Sequence, residues 1–127
     1  MRGIALVAVG GAMGSVARHL LSGWMLHHTV GWRFPTGTFL VNVLGCFAVG
    51  VVAGLVVKHE LFSPDARLFL FTGLAGGFTT FSAFGLETFY LLRRQEMLVA
   101  GGYVVASVVI GILLLWLGFL AATSRPS

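Results

Sequence analysis

The sequence predicts an all-α membrane protein: four transmembrane helices, the third broken at its centre, paired as an antiparallel, dual-topology homodimer. Three observations predict it. Of 127 residues, 57% are hydrophobic and only 9% charged, against ~25% charged in a typical soluble chain. Eight Lys/Arg, four Asp/Glu and four His cannot wet the large surface of a small soluble domain. The charges divide the chain into four apolar stretches, each reaching the ~20 residues that a helix needs to cross a bilayer, and the basic residues fall almost evenly on the two sides.

The spans are residues 4–26, 36–57, 64–92 and 97–122, within a single transmembrane domain, 1–127. Arg2 ahead of the first span imitates a secretory leader, but the apolar run is too long for one and three more follow. Gly31, Pro35 and Gly37 mark the first turn, with Trp32 as an interfacial aromatic. Lys58, His59 and Glu60 stop the second span. Ser63, Pro64 and Asp65 read as an N-cap, a proline at the first helical position and an acid on the helix dipole. Arg93 and Arg94 end the third span.

Four spans put Arg2, Lys58, Arg67 and Arg125 on one side, and Arg33, Arg93, Arg94 and, if it reaches the surface, Arg18 on the other. This near-zero bias predicts insertion in both orientations. Small residues four apart recur in every span (Gly10/Gly14, Gly50/Gly54, Gly73/Gly77, Ser107/Gly111). Such pairs let helices approach closely in lipid. Because four helices alone leave little room for an aqueous path, a homodimer is expected.

Few polar groups lie at membrane depth: Arg18, Asn42, Thr79, Thr80, Ser82, Glu87, Tyr103 and Ser107. At ~1.5 Å of rise per residue, Arg18 lies ~12 Å from the surface shared by the first two spans, and Asn42 and Tyr103 each ~9 Å from it. Gly76–Thr80 falls roughly 18–24 Å along the third span, near the midplane. Three glycines and two β-branched threonines between Gly73 and Thr80 make a poor helix interior, so the helix is expected to break at Gly76–Thr80. The alternative is a tilted helix whose glycines only pack against neighbours. Phe81 and Phe84 share the next helical face. Arg18 is a snorkelling side chain or a functional cation, Glu87 a partner for Arg94 or a functional acid, and Tyr103, Ser107, Gly111 and Gly118 one narrow stripe on the fourth span.

The buried donors suit an anion: an amide, hydroxyls and ring edges that are weakly positive. No ring of carboxylates suggests a cation pore. The basic balance reflects scarce acids, so nucleic acid is not an expected partner. Cys46 is alone and reads as a small hydrophobe. No paired acids, metal cluster or nucleophile with a base suggests an enzyme.

At these residues the chain resembles the Fluc (CrcB-like) small fluoride channels. Residues 10–18 (GGAMGSVAR), 37–42 (GTFLVN) and 72–84 (TGLAGGFTTFSAF), followed by Glu87, carry the resemblance in order and at the family's spacing. It implies a passive, fluoride-selective channel in the cell (inner or plasma) membrane that exports cytoplasmic fluoride and lowers its toxicity, built as a dual-topology homodimer with two pathways. It implies Asn42 as the pore amide, Phe81 and Phe84 as the rings facing the ion, and Arg18 near the vestibule. Ser82, Glu87, Tyr103 and Ser107 are implied as the polar side of the pathway. A structural Na+ at the dimer centre is implied on the carbonyls of Gly76 and Thr79. Phe78, Ala83, Gly85 and Gly111 depart from the usual residues of the pattern. A small four-helix dual-topology multidrug exporter would need a glutamate in its first span, and residues 4–26 hold none. A non-transporting structural membrane protein would not require both Asn42 and a broken span.

Overall fold

A computed structural model describes residues 1–29, 31 and 33–124. Trp32 and Arg125 lie outside the described residues. Helix α1 (Arg2–His28) and α2 (Thr36–His59) are continuous. The third span is composite: α3 (Pro64–Arg67), a π-helical stretch (Leu68–Ala75), α4 (Gly76–Phe78) and, after a break, α5 (Phe81–Arg93). Helix α6 (Met97–Thr123) completes the chain. All four spans are long and apolar enough to cross a membrane, so this is a multi-pass membrane protein.

The local signals act as read. The Ser63 hydroxyl accepts from the Ala66 N–H at 3.1 Å, with Pro64 at the first turn and Asp65 beside it. Helix α2 ends at His59, where Glu60 turns left-handed at φ 50°. Gly31 is the turn glycine, at φ 90°, whereas Gly37 lies inside α2 against Ser22.

Two expectations need correction. The break is narrower than Gly76–Thr80: Gly76–Phe78 is still helical, and only Thr79 and Thr80 are extended (ψ 157° and 118°). The glycines do something else, which is to bring helices together within one chain. A methyl on Gly10 would lie 2.8 Å from the Phe69 carbonyl oxygen, and one on Gly77 2.5 Å from that of Gly11. Gly14 faces the Leu74 carbonyl and Gly73 faces Gly10. Gly50 likewise meets the α6 backbone at Leu115, and Gly118 meets that of α2 at Phe47. These small-residue pairs are therefore spent on α1 against the third span and α2 against α6. They carry no argument for a dimer.

Near the loop end of α1, a small core packs Leu91, Ala100 and Tyr103 among Phe34, Phe39, Phe84 and Val99. Elsewhere large apolar side chains stand outward, as Val16, Leu98, Leu113 and Trp116 do, the arrangement of a chain whose solvent is lipid.

Candidate functional site: a helix break and an aromatic line

β-branched threonines favour extended backbone, and two in succession end α4. Breaking a helix in lipid orphans polar backbone groups, which must find partners inside the protein. Here side chains supply them. The Asn42 amide nitrogen donates to the Thr80 carbonyl at 3.1 Å, and its oxygen accepts from the Thr80 N–H at 2.9 Å. The Arg18 Nε donates to the Gly77 carbonyl at 3.1 Å. The Thr80 hydroxyl accepts from the Ala83 N–H at 3.2 Å and so caps α5, while the Thr79 hydroxyl donates to the Ala75 carbonyl at 2.9 Å. Arg18, expected near a vestibule, thus reaches the end of α4, and the Asn42 side chain clamps the extended residue.

These bonds leave two carbonyls without their helical donors. The Thr80 N–H, which would serve Gly76, is turned to Asn42, and the Ala83 N–H, which would serve Thr79, is held by Thr80. Gly76 and Thr79 are the positions expected to offer oxygen to a sodium ion, and carbonyl oxygens that have lost their helical donors suit such a hard cation. Among the described residues no His, Cys, Asp and Glu side chains cluster as a metal site.

The break opens onto a groove of about 340 Å³, walled by Asn42, Thr79, Thr80, Phe81, Phe84 and Ser107 together with apolar residues. The Ser107 hydroxyl is buried and has no hydrogen-bond partner among the described residues. Phe81 is 84% exposed. Ser82 is also exposed, its hydroxyl 3.2 Å from that of Thr80. From the groove, rings run in a line: Phe81 to Phe84 at 5.8 Å, Phe84 to Tyr103 at 5.1 Å, and Tyr103 edge-on to Phe34 at 5.3 Å.

At the far end of that line both oxygens of Glu87 are engaged. Thr38 donates its hydroxyl to Oε1 at 2.7 Å and Tyr103 to Oε2 at 3.2 Å. The expected partner Arg94 is not among its bonds, because Thr38 on α2 and Tyr103 on α6 face it directly. Thr38 and Glu87 also line a surface cavity of about 490 Å³ with Thr36, Arg33, Arg94 and Glu96. The aromatic line therefore joins a charged surface cavity to the groove at the break.

Of the residues singled out from the sequence, Asn42, Thr79, Phe81, Phe84 and Ser107 converge on the groove. Glu87 belongs to the surface cavity, and buried Tyr103 links the two. Gly76 lies on the last helical turn before the break and is exposed. Sequence reasoning gave no role to Thr38 and did not single out Thr80 from its cluster. Thr38 was within reach, since it stands four residues before Asn42 and so shares its face of α2. Of the departures from the family pattern, Ala83 contributes its N–H to the Thr80 cap, and Gly111 packs beside the Cys46 sulfur. A Cβ at Gly85 would meet open space.

A four-span membrane protein with a broken, side-chain-clamped third span is the class that this geometry defines. The chain belongs to the family of CrcB-like proteins, Camphor Resistance (CrcB), whose profile matches residues 5–119. It is 56% identical over 116 residues to the fluoride-specific ion channel FluC of Methylobacillus flagellatus, covering 91% of each chain. It is 52% identical over 103 residues to FluC of Rhizobium etli (81% of this chain, 82% of that one). With FluC of Geotalea daltonii it shares 41% identity over 122 residues (96% and 98%).

Proposed function

We propose that this chain is a fluoride-selective passive channel, active as an antiparallel homodimer in the plasma (inner) membrane. The observation that carries the reading is the Ser107 hydroxyl, buried without a partner among the described residues in the wall of a groove whose other polar groups are the Asn42 amide and the Thr79–Thr80 break. An unpaired buried donor costs about 1–3 kcal/mol, and a passing anion relieves that cost. The names of the relatives supply the ion.

The physics fits fluoride. A small, strongly hydrated ion needs close donors to replace its water. The groove offers the second Asn42 amide hydrogen, the Ser107 hydroxyl, the N-terminal end of α5 with its partial positive charge, and the weakly positive edges of Phe81 and Phe84. Fixed charge is absent from that wall, so nothing there traps the ion, and conduction requires binding weak enough to leave. Ser82 extends the polar side, and Thr38, Glu87 and Tyr103 form the step between cavity and groove. Hydrogen fluoride crosses the membrane neutral and dissociates inside, while a negative interior drives the anion out. A passive path therefore lowers cytoplasmic fluoride without a coupled energy source.

The dimer rests on two supports: the near-balance of basic residues on the two sides, and a groove that is open along Phe81. A second copy running the other way closes it. The Gly76 and Thr79 carbonyls, with those of the second copy, would hold a structural Na+, which supplies a fixed cation that ties the two breaks together.

The test is fluoride efflux from liposomes containing the purified protein, with chloride as control. Rapid fluoride efflux without chloride efflux is expected; equal leakage of both anions overturns the selectivity.

A further inference from the structure

We propose that Arg94, a cation of the surface cavity with no ion-pair partner among the described residues, sets the rate at which the anion is captured there; this rests on the channel reading above. The cavity wall holds the cations Arg33 and Arg94 and the carboxylates Glu87 and Glu96. Arg33 is spoken for, its Nε lying 3.5 Å from Glu96. Glu87 has both oxygens engaged by Thr38 and Tyr103. The Arg94 side chain has no hydrogen bond or ion pair among the described residues.

Nor is Arg94 needed to finish α5. The Gln95 N–H donates to the Leu92 carbonyl at 3.0 Å and the Glu96 N–H to the Leu91 carbonyl at 2.9 Å, with Gln95 left-handed at φ 60°. That pair of bonds is the closing motif in which backbone satisfies the last carbonyls. It fixes the chain on both sides of Arg94 and turns Glu96 towards Arg33, so the pairing that neutralises Arg33 also leaves Arg94 single. Arg93 supplies an internal comparison. It lines an outer surface with Tyr90 and Arg94 but is absent from the cavity wall.

Outside the Arg33–Glu96 pair the wall holds two charges, the exposed Arg94 cation and the half-buried Glu87 carboxylate, whose two hydroxyl partners are neutral and leave its charge in place. Removing Arg94 leaves the concavity net negative, and such a field slows anion arrival. The effect must fade as salt shortens the screening length from about 30 Å at 0.01 M to about 3 Å at 1 M. The experiment measures initial fluoride efflux from liposomes at both ionic strengths, set with potassium gluconate on both sides. Arg94→Gln is expected to slow efflux about three- to tenfold at 0.01 M and to approach the parent rate at 1 M. Arg94→Lys should retain most of the rate, and Arg93→Gln, whose charge lies outside the cavity wall, should cost clearly less than Arg94→Gln at 0.01 M and match the parent at 1 M. An Arg94→Gln deficit that is unchanged by salt, or one shared equally by Arg93→Gln, overturns the proposal. Absence of fluoride efflux from the parent protein overturns the channel reading and this inference together.

Discussion

The Asn42 side chain pairs with both backbone groups of Thr80, giving its amide hydrogen to the carbonyl and taking the N–H on its oxygen. One side chain on α2 thereby does for a single extended residue what a neighbouring strand does in a sheet. The break is held open rather than merely tolerated. Asn42→Ala should orphan both groups, at about 1–3 kcal/mol each. The expected result is a lower unfolding midpoint in detergent titration together with lost fluoride flux. An unchanged midpoint would mean that the break needs no clamp.

Phe81 and Phe84 separate function from folding. Phe81 is 84% exposed, so Phe81→Ile removes little packing within the chain. Stability of the single chain should change by less than about 0.5 kcal/mol, while flux in the liposome assay falls to background. Phe84 touches both Phe81 and Tyr103 in the ring line, so Phe84→Ile should cost flux and about 1 kcal/mol of stability. Normal flux in either variant would assign the rings to packing alone.

Glu87 is held by two hydroxyls from two different helices. Tyr103→Phe deletes one donor while keeping the ring, and should destabilise by about 1–2 kcal/mol because a carboxylate oxygen loses its partner. Thr38→Val deletes the other and should act similarly. If the three side chains work as one unit, the double variant costs measurably less than the sum of the singles. Strict additivity in the unfolding measurement would show two independent bonds.

The glycines fall into two classes that a stability assay distinguishes. A methyl at Gly14 or Gly77 meets backbone of the facing helix, whereas one at Gly23 meets nothing within 4 Å. Gly14→Ala or Gly77→Ala should destabilise by about 1–3 kcal/mol through forced separation of α1 from the third span. Gly23→Ala, in the exposed interior of α1, should instead gain about 0.5–1 kcal/mol. The same sign for both would contradict the packing described.

Along the chain, composition and breakers were enough to find every span, and Ser63-Pro64 and Lys58-His59 give their boundaries because caps and charges act locally. The run from Gly73 to Thr80 announces a disturbed helix, yet it does not divide the work: Gly73 and Gly77 pack while Thr79 and Thr80 break. That division depends on α1 lying alongside, a contact between residues some sixty positions apart. For the same reason, the pairings of Asn42, Arg18 and Glu87 were out of reach, even where a partner such as Thr38 could be placed on the Asn42 face of α2. Each bonds across helices, and hydropathy says which residues are costly in lipid without saying what relieves the cost. The π-helical turns of Leu68–Ala75 have no signature in that apolar stretch.

The exposed flank of Phe81 bears on how the protein behaves when scarce. An unaccompanied chain carries a gutter rather than a tube, and acyl chains lying along it would insulate the polar wall. If the channel is the dimer proposed above, newly inserted protein would stay electrically silent until it meets a second copy, sparing the membrane from leaks during synthesis.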